Sequence, residues 1–345
     1  TVPHPGGSAD ACRPARSMKS FWAPAVLSAA GESIVAAVEE KGTLAWLNET
    51  WSYFRSLTGH LSMPDDRYAE AFFQRTVHQC IESIGMDADG RPVGSDLGTS
   101  PTTEVICMKD LYYAYLPLAM LEPEFFKKGI LWFLETSVRP RGNKFGAGGI
   151  GHSLSISLTP VMMAGLYYSV TRDKVFFRSQ PELMTKLNTI LQQTLQTRKQ
   201  ADIWLFPSRF ISDGPALGDY HTGSNVCAWY AFQSFARIME DVFADLDRAA
   251  QYTGVASRIK AALEQRNVID GPFGPQYNEG INQDGSLPVL GHEGEENDTT
   301  LMPFYGYKAY DDLFYQNYMA FSVSEHNRFY TPHLKGIKFA DRKST

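Results

Sequence analysis

The stretch DDRYAEAFFQRTVHQCIESIG, residues 65–85, decides how the chain is read. Its apolar positions Tyr68, Phe72, Phe73, Val77, Cys80, Ile81 and Ile84 recur three and four apart. That spacing puts them on one face of a helix. Asp65 is placed to cap the helix and Gly85 to end it. The same period continues outward. Helices are predicted over 110–121, from Pro123 through Phe126, Ile130, Phe133 and Leu134, and over 153–170, 181–197, 224–243, 246–267 and 299–312. In the segment from Pro181, the stripe is Met184, Leu187, Ile190, Leu191 and Leu195. One or two more helices fit within 24–58, giving about nine with little strand pattern. The expected fold class is all-α.

Connections are uneven. Leu121-Glu122-Pro123 is tight, whereas 86–108, 138–152, 202–223 and 270–298 are long and rich in Gly, Pro, Asn and Asp. Long loops on a helical scaffold usually carry function. Tight turns at one end of helical hairpins and elaborate loops at the other point to an α/α toroid, with its ligand site built from the loops. Residues 1–60 are read as a helical lead-in and 61–345 as the toroid domain.

Composition narrows the function. Of 345 residues, 32 are Lys or Arg and 38 Asp or Glu, for a net charge of −6. No basic stripe is present to neutralise phosphates, which excludes nucleic acid as the main partner. No apolar run approaches the roughly 18 residues that a membrane helix needs. The cysteines, at 12, 80, 107 and 227, form no CxxC pair, and those at 80, 107 and 227 are read as buried thiols. A periplasmic or secreted location is favoured over the cytoplasm, and the oligomeric state is open. Gly146-Ala147-Gly148-Gly149-Ile150-Gly151 fits GxGxxG but follows no strand, so a dinucleotide site is rejected. HExxH and GxSxG are absent.

What remains is a set of acidic loops, each flanked by aromatic residues and each preceding a helix. Glu104 and Asp110 lie in the first, Asp213 and Asp219 in the second, and Glu279, Glu293, Glu295, Glu296 and Asp298 in the third. Glycosidic bond cleavage needs two carboxyl groups across the bond, one protonated and one ionised. Each acid also has a plainer role. Asp110 suits a helix first turn. Asp213 and Asp219 suit turns. The charges from Glu293 to Asp298 suit a solvated loop or a structural calcium. His152 and His221 border Gly-containing loops and could touch substrate hydroxyls or serve at helix starts.

Several segments carry a resemblance. They are Met63-Pro64-Asp65-Asp66-Arg67 before a long helix, Asp89-Gly90, Lys109-Asp110-Leu111-Tyr112-Tyr113, Gly218-Asp219-Tyr220, Ser224-Asn225 and Trp229-Tyr230-Ala231. Over roughly residues 60–312 the chain resembles the six-hairpin (α/α)6-toroid glycoside hydrolases, the group of trehalase-like, glucoamylase-like, α-glucosidase-like and rhamnosidase-like enzymes. Lys109 stands where those enzymes usually carry Arg. The resemblance implies twelve helices, so the last hairpin is expected to be absent from this chain or supplied by an unrecognised element.

It also implies a glycosidase acting on a short saccharide or chain end, mostly with inversion and without a cofactor. Asp219 would be the general acid, with Asp213 in reserve. Glu293, Glu295 or Glu296 would be the base. Glu104 and Asp110 would hold sugar hydroxyls, His152 and His221 would assist, and Trp204, Tyr220 and Tyr277 would wall the subsite. A lyase or epimerase on the same toroid, or a carbohydrate-binding scaffold without activity, are the competing readings.

Overall fold

The computed structural model describes residues 29–58, 62–82, 84–86, 92–95, 108–137, 153–211, 215–294 and 298–338. The chain forms two compact units, Thr1–Thr102 and Thr103–Thr345.

In the first unit, helices α1 (Ala29–Lys41), α2 (Thr43–Thr58) and α3 (Arg67–Glu82) precede a hairpin of β1 (Ile84–Met86) and β2 (Pro92–Ser95). α3 is the helix predicted from residues 65–85, but it is Asp66 that caps it, its Oδ1 accepting the Ala69 N–H at 2.9 Å. Val77 and Ile84 are buried, whereas Tyr68, Phe72 and Phe73 are exposed. Ile84 and Gly85 belong to β1 rather than to the helix end.

The second unit contains α4 (Met108–Tyr115), α5 (Leu118–Leu121), α6 (Pro123–Ser137), α7 (Leu154–Thr171), α8 (Lys174–Ser179), α9 (Pro181–Gln196), α10 (Thr222–Ile238), α11 (Leu246–Arg266) and α12 (Leu313–Ser322). Pro117 divides the single helix expected over 110–121 into α4 and α5. α7 and α10 form the centre of this unit, with α4, α6 and α9 against α7 and α11 against α10. α7 is buried from Leu154 through Tyr168, so its sequence has no polar face. Gly165 lets α10 approach closely: a Cβ there would lie 2.3 Å from Ser234 Cβ. α9 buries Leu183, Met184, Leu187, Ile190, Leu191 and Thr194. Each large apolar side chain so buried contributes about 1.5–3 kcal/mol.

α10 continues into a π-helical turn, Met239–Phe243, that ends at Ala244 with φ of 53°. Lys174 Nζ and Arg178 Nε donate to the carbonyls of Asp241 and Val242 at this end, where cations offset the helix dipole.

The helix expected over 299–312 is instead a run of turns. Pro303 supplies no N–H and Gly306 sits at φ +72°, so the chain cannot propagate a helix, and α12 starts only beyond its cap at Asp312. Short antiparallel pairs, unseen in the sequence, complete the unit: β3 (Tyr220–His221) with β6 (Gly280–Ile281), β4 (Val268–Gly271) with β5 (Gly274–Tyr277), and β7 (Tyr330–Thr331) with β8 (Gly336–Ile337). No helix among the described residues is long and apolar enough to cross a membrane.

Candidate active site

The β3–β6 ladder joins two of the acidic loops. Tyr220 pairs with Ile281 and His221 with Gly280, so Asp219 precedes one strand and Glu279 the other. Glycine is needed where these backbones meet. A Cβ on Gly280 would lie 1.6 Å from the Leu217 carbonyl oxygen, and Gly218 has φ of +78°.

The ladder sits on the N-terminus of α10. His221 caps that helix, its Nδ1 accepting the Ser224 N–H at 3.0 Å. An acceptor Nδ1 carries no proton, so the network assigns the ring hydrogen to Nε2. Asn225 secures the neighbouring loop: its Oδ1 accepts the Phe206 N–H at 2.8 Å, and its Nδ2 donates to the carbonyls of Phe206 and His221. Asn267 Nδ2 donates to Thr222 Oγ1 at 2.8 Å, and Thr222 Oγ1 donates to the Asn278 carbonyl. Asn278 Nδ2 donates to the carbonyls of Gly280 and Val289. These buried side-chain bonds tie the 220–222, 267 and 278–289 segments together.

One carboxylate is part-exposed and three are buried. Asp219 is part-exposed; its Oδ2 accepts the Gln283 N–H at 2.9 Å, and its Oδ1 lies 3.5 Å from Lys199 Nζ. Glu279 and Glu293 are buried. Glu279 Oε2 accepts the Glu293 N–H at 2.7 Å, and Glu279 Oε1 lies 4.0 Å from His221 Nε2. Asp298 is also buried, its Oδ1 accepting from the hydroxyls of Tyr113 at 3.0 Å and Tyr305 at 3.3 Å. Tyr112 and Tyr305 exchange a hydroxyl hydrogen bond at 3.0 Å, and burial pushes both phenols far above the usual range. Beside Glu293, burial lowers the His292 imidazole to about 4, so the ring is neutral.

Of the residues expected to act, Glu104, His152, Asp213, Glu295 and Glu296 lie outside the described residues, as does the Gly146–Gly151 run. Asp110 lies in α4, and its side chain is outside the described set. Asp219, His221 and Glu293 all belong to the ladder and the loop tied to it. Trp204 has the guanidinium of Arg198 at 3.7 Å and that of Arg258 at 4.4 Å from its ring centroid. Tyr220 and Tyr277 are wholly buried, and the Tyr277 hydroxyl donates to Glu264 Oε1 at 2.7 Å. Cys227 is buried and Cys80 part-buried. Among the described residues, no group of three His, Cys, Asp or Glu could hold a metal ion.

Sequence reasoning placed Glu279 and Asp298 in the third acidic loop but gave neither a catalytic or sugar-binding role. Two-residue strands leave no alternation to read, so nothing local marked Glu279 as paired across the chain.

No protein-family model and no curated protein matches the chain. A solved structure does. It is a Streptococcus pneumoniae enzyme of a family of metal-independent alpha mannosidases, in a non-productive complex with alpha-1,6-mannobiose. The two share 12% identity with a TM-score of 0.56, over 82% of this chain and 77% of that one. The chain shares the all-α fold of that structure. The all-α class read from the helical period therefore holds.

Proposed function

We propose that the protein is a glycoside hydrolase that removes a terminal sugar, with an α-mannoside as the first substrate class to test. The supporting observation is the β3–β6 ladder, which draws the Asp219 loop and the Glu279–Glu293 loop to one helix N-terminus on a toroid fold. Asp219, the part-exposed acid, would protonate the departing oxygen. Glu293, buried on the loop tied to the ladder, would take a proton from water. A carboxyl separation of about 6.5–9.5 Å corresponds to inversion and about 5–5.5 Å to retention. We propose inversion, the outcome usual among the toroid glycosidases that the sequence resembles. Mannobiose linkage isomers and 4-nitrophenyl glycosides of both anomers, followed by proton NMR of the first-formed sugar, test both parts. Release of mannose as the β-anomer from an α-mannoside supports the reading. Absence of hydrolysis across the panel rejects it.

A further inference from the structure

Three successive amides of the Glu293 segment are held by three different partners. His292 N–H is bound by Asn327 Oδ1 at 3.1 Å, Glu293 N–H by Glu279 Oε2 at 2.7 Å, and Gly294 N–H by the Lys338 carbonyl at 3.0 Å. Only the middle partner is an acidic side chain, and only it lies on the loop that enters the ladder beside Asp219. A buried acidic side chain is a costlier acceptor for the Glu293 amide than a neutral amide oxygen, which would serve with a smaller desolvation penalty. Glu279 is also fixed from its own side. Its carbonyl accepts the Thr222 N–H at 2.8 Å, and its Oε1 faces the Nε2 side of His221, 4.0 Å away. The Ser224 bond to Nδ1 sets that tautomer, so the imidazole turns its N–H side toward the carboxylate.

We infer that Glu279 is the positioning residue of the Glu293 loop. It ties the Glu293 segment to the loop that enters the ladder beside Asp219, and so fixes Glu293 relative to Asp219. This deepens the glycosidase reading and rests on it.

Glu279→Gln keeps an acceptor for the Glu293 amide; Glu279→Ala removes it. With 4-nitrophenyl α-D-mannopyranoside and α-1,6-mannobiose, Glu279→Ala is expected to lower kcat about 100-fold, with KM changed less than about threefold. Glu279→Gln is expected to stay within about tenfold of wild-type kcat. Equal losses in both variants overturn the inference. Hydrogen exchange at the Glu293 amide is read separately. Protection should persist in Glu279→Gln and fall in Glu279→Ala, and unchanged protection in Glu279→Ala also overturns it. If wild-type protein cleaves neither probe, the glycosidase reading fails, while the exchange result still decides whether Glu279 anchors the loop.

Discussion

Asn327 grips His292 with both ends of its side-chain amide. Its Oδ1 accepts the His292 N–H at 3.1 Å, and its Nδ2 donates to the His292 carbonyl at 2.8 Å. The same side chain donates to the Ser322 carbonyl and accepts the Phe329 N–H, so it ties α12 and the C-terminal turns to the Glu293 loop. Removing it strands several buried backbone groups, each costing about 1–3 kcal/mol when left unsatisfied. Asn327→Ala should lose about 3 kcal/mol in urea unfolding. Asn327→Asp cannot donate to the two carbonyls and should not restore the loss.

His292 gives the fold a pH dependence. Its folded-state value, about 4, lies below the ordinary 6.5 because burial penalises the cation. Between those values the unfolded chain binds a proton that the folded protein refuses. This contribution to stability is therefore intact above 6.5 and erodes as pH falls toward 4. The total is roughly 3 kcal/mol. Urea midpoints followed from pH 7 to 4 should show the decline, and His292→Gln should flatten it in that window.

Two glycines should respond in opposite ways. Gly280→Ala would push a methyl group into the Leu217 carbonyl and pry the ladder apart, costing about 3 kcal/mol. Gly254, inside α11, has open space at its Cβ position. Gly254→Ala should raise stability by about 0.5–1 kcal/mol, because alanine loses less backbone entropy on entering a helix. Thermal unfolding of both variants checks the pair.

Asp219→Asn retains an oxygen for the Gln283 amide but has no proton to give a leaving group. Turnover of an unactivated α-mannoside should fall about 10²–10⁴-fold with little change in unfolding free energy. A mannoside with a good leaving group, such as 2,4-dinitrophenolate, should be spared much of that loss. Near-normal rates on the unactivated substrate would remove Asp219 from the mechanism.

The sequence was most legible where one physical signal dominated. Ser153, Pro181 and Leu246 lie at or beside the observed starts of α7, α9 and α11, because caps, proline and apolar periodicity agree there. It was least legible where tertiary context overrode pattern. The 299–312 run looked helical until Pro303 and Gly306 are considered together. Tyr277 looked like a sugar platform but is an interior ring serving Glu264. Asp219 and Glu293 were singled out as chemical groups. Their connection runs through Glu279, whose partner His221 lies 58 positions earlier in the chain (279 − 221), and no local spacing carries that information.

The β3–β6 pairing is only two residues long on each side, and the whole α10–α11 hairpin lies between its strands. Such a clasp cannot close before that hairpin has docked, so it is a late event in folding. It also has few bonds of its own to resist reopening. Mild denaturant or heat should therefore unfasten the candidate site while the helices persist, and catalytic competence should vanish ahead of far-ultraviolet circular dichroism.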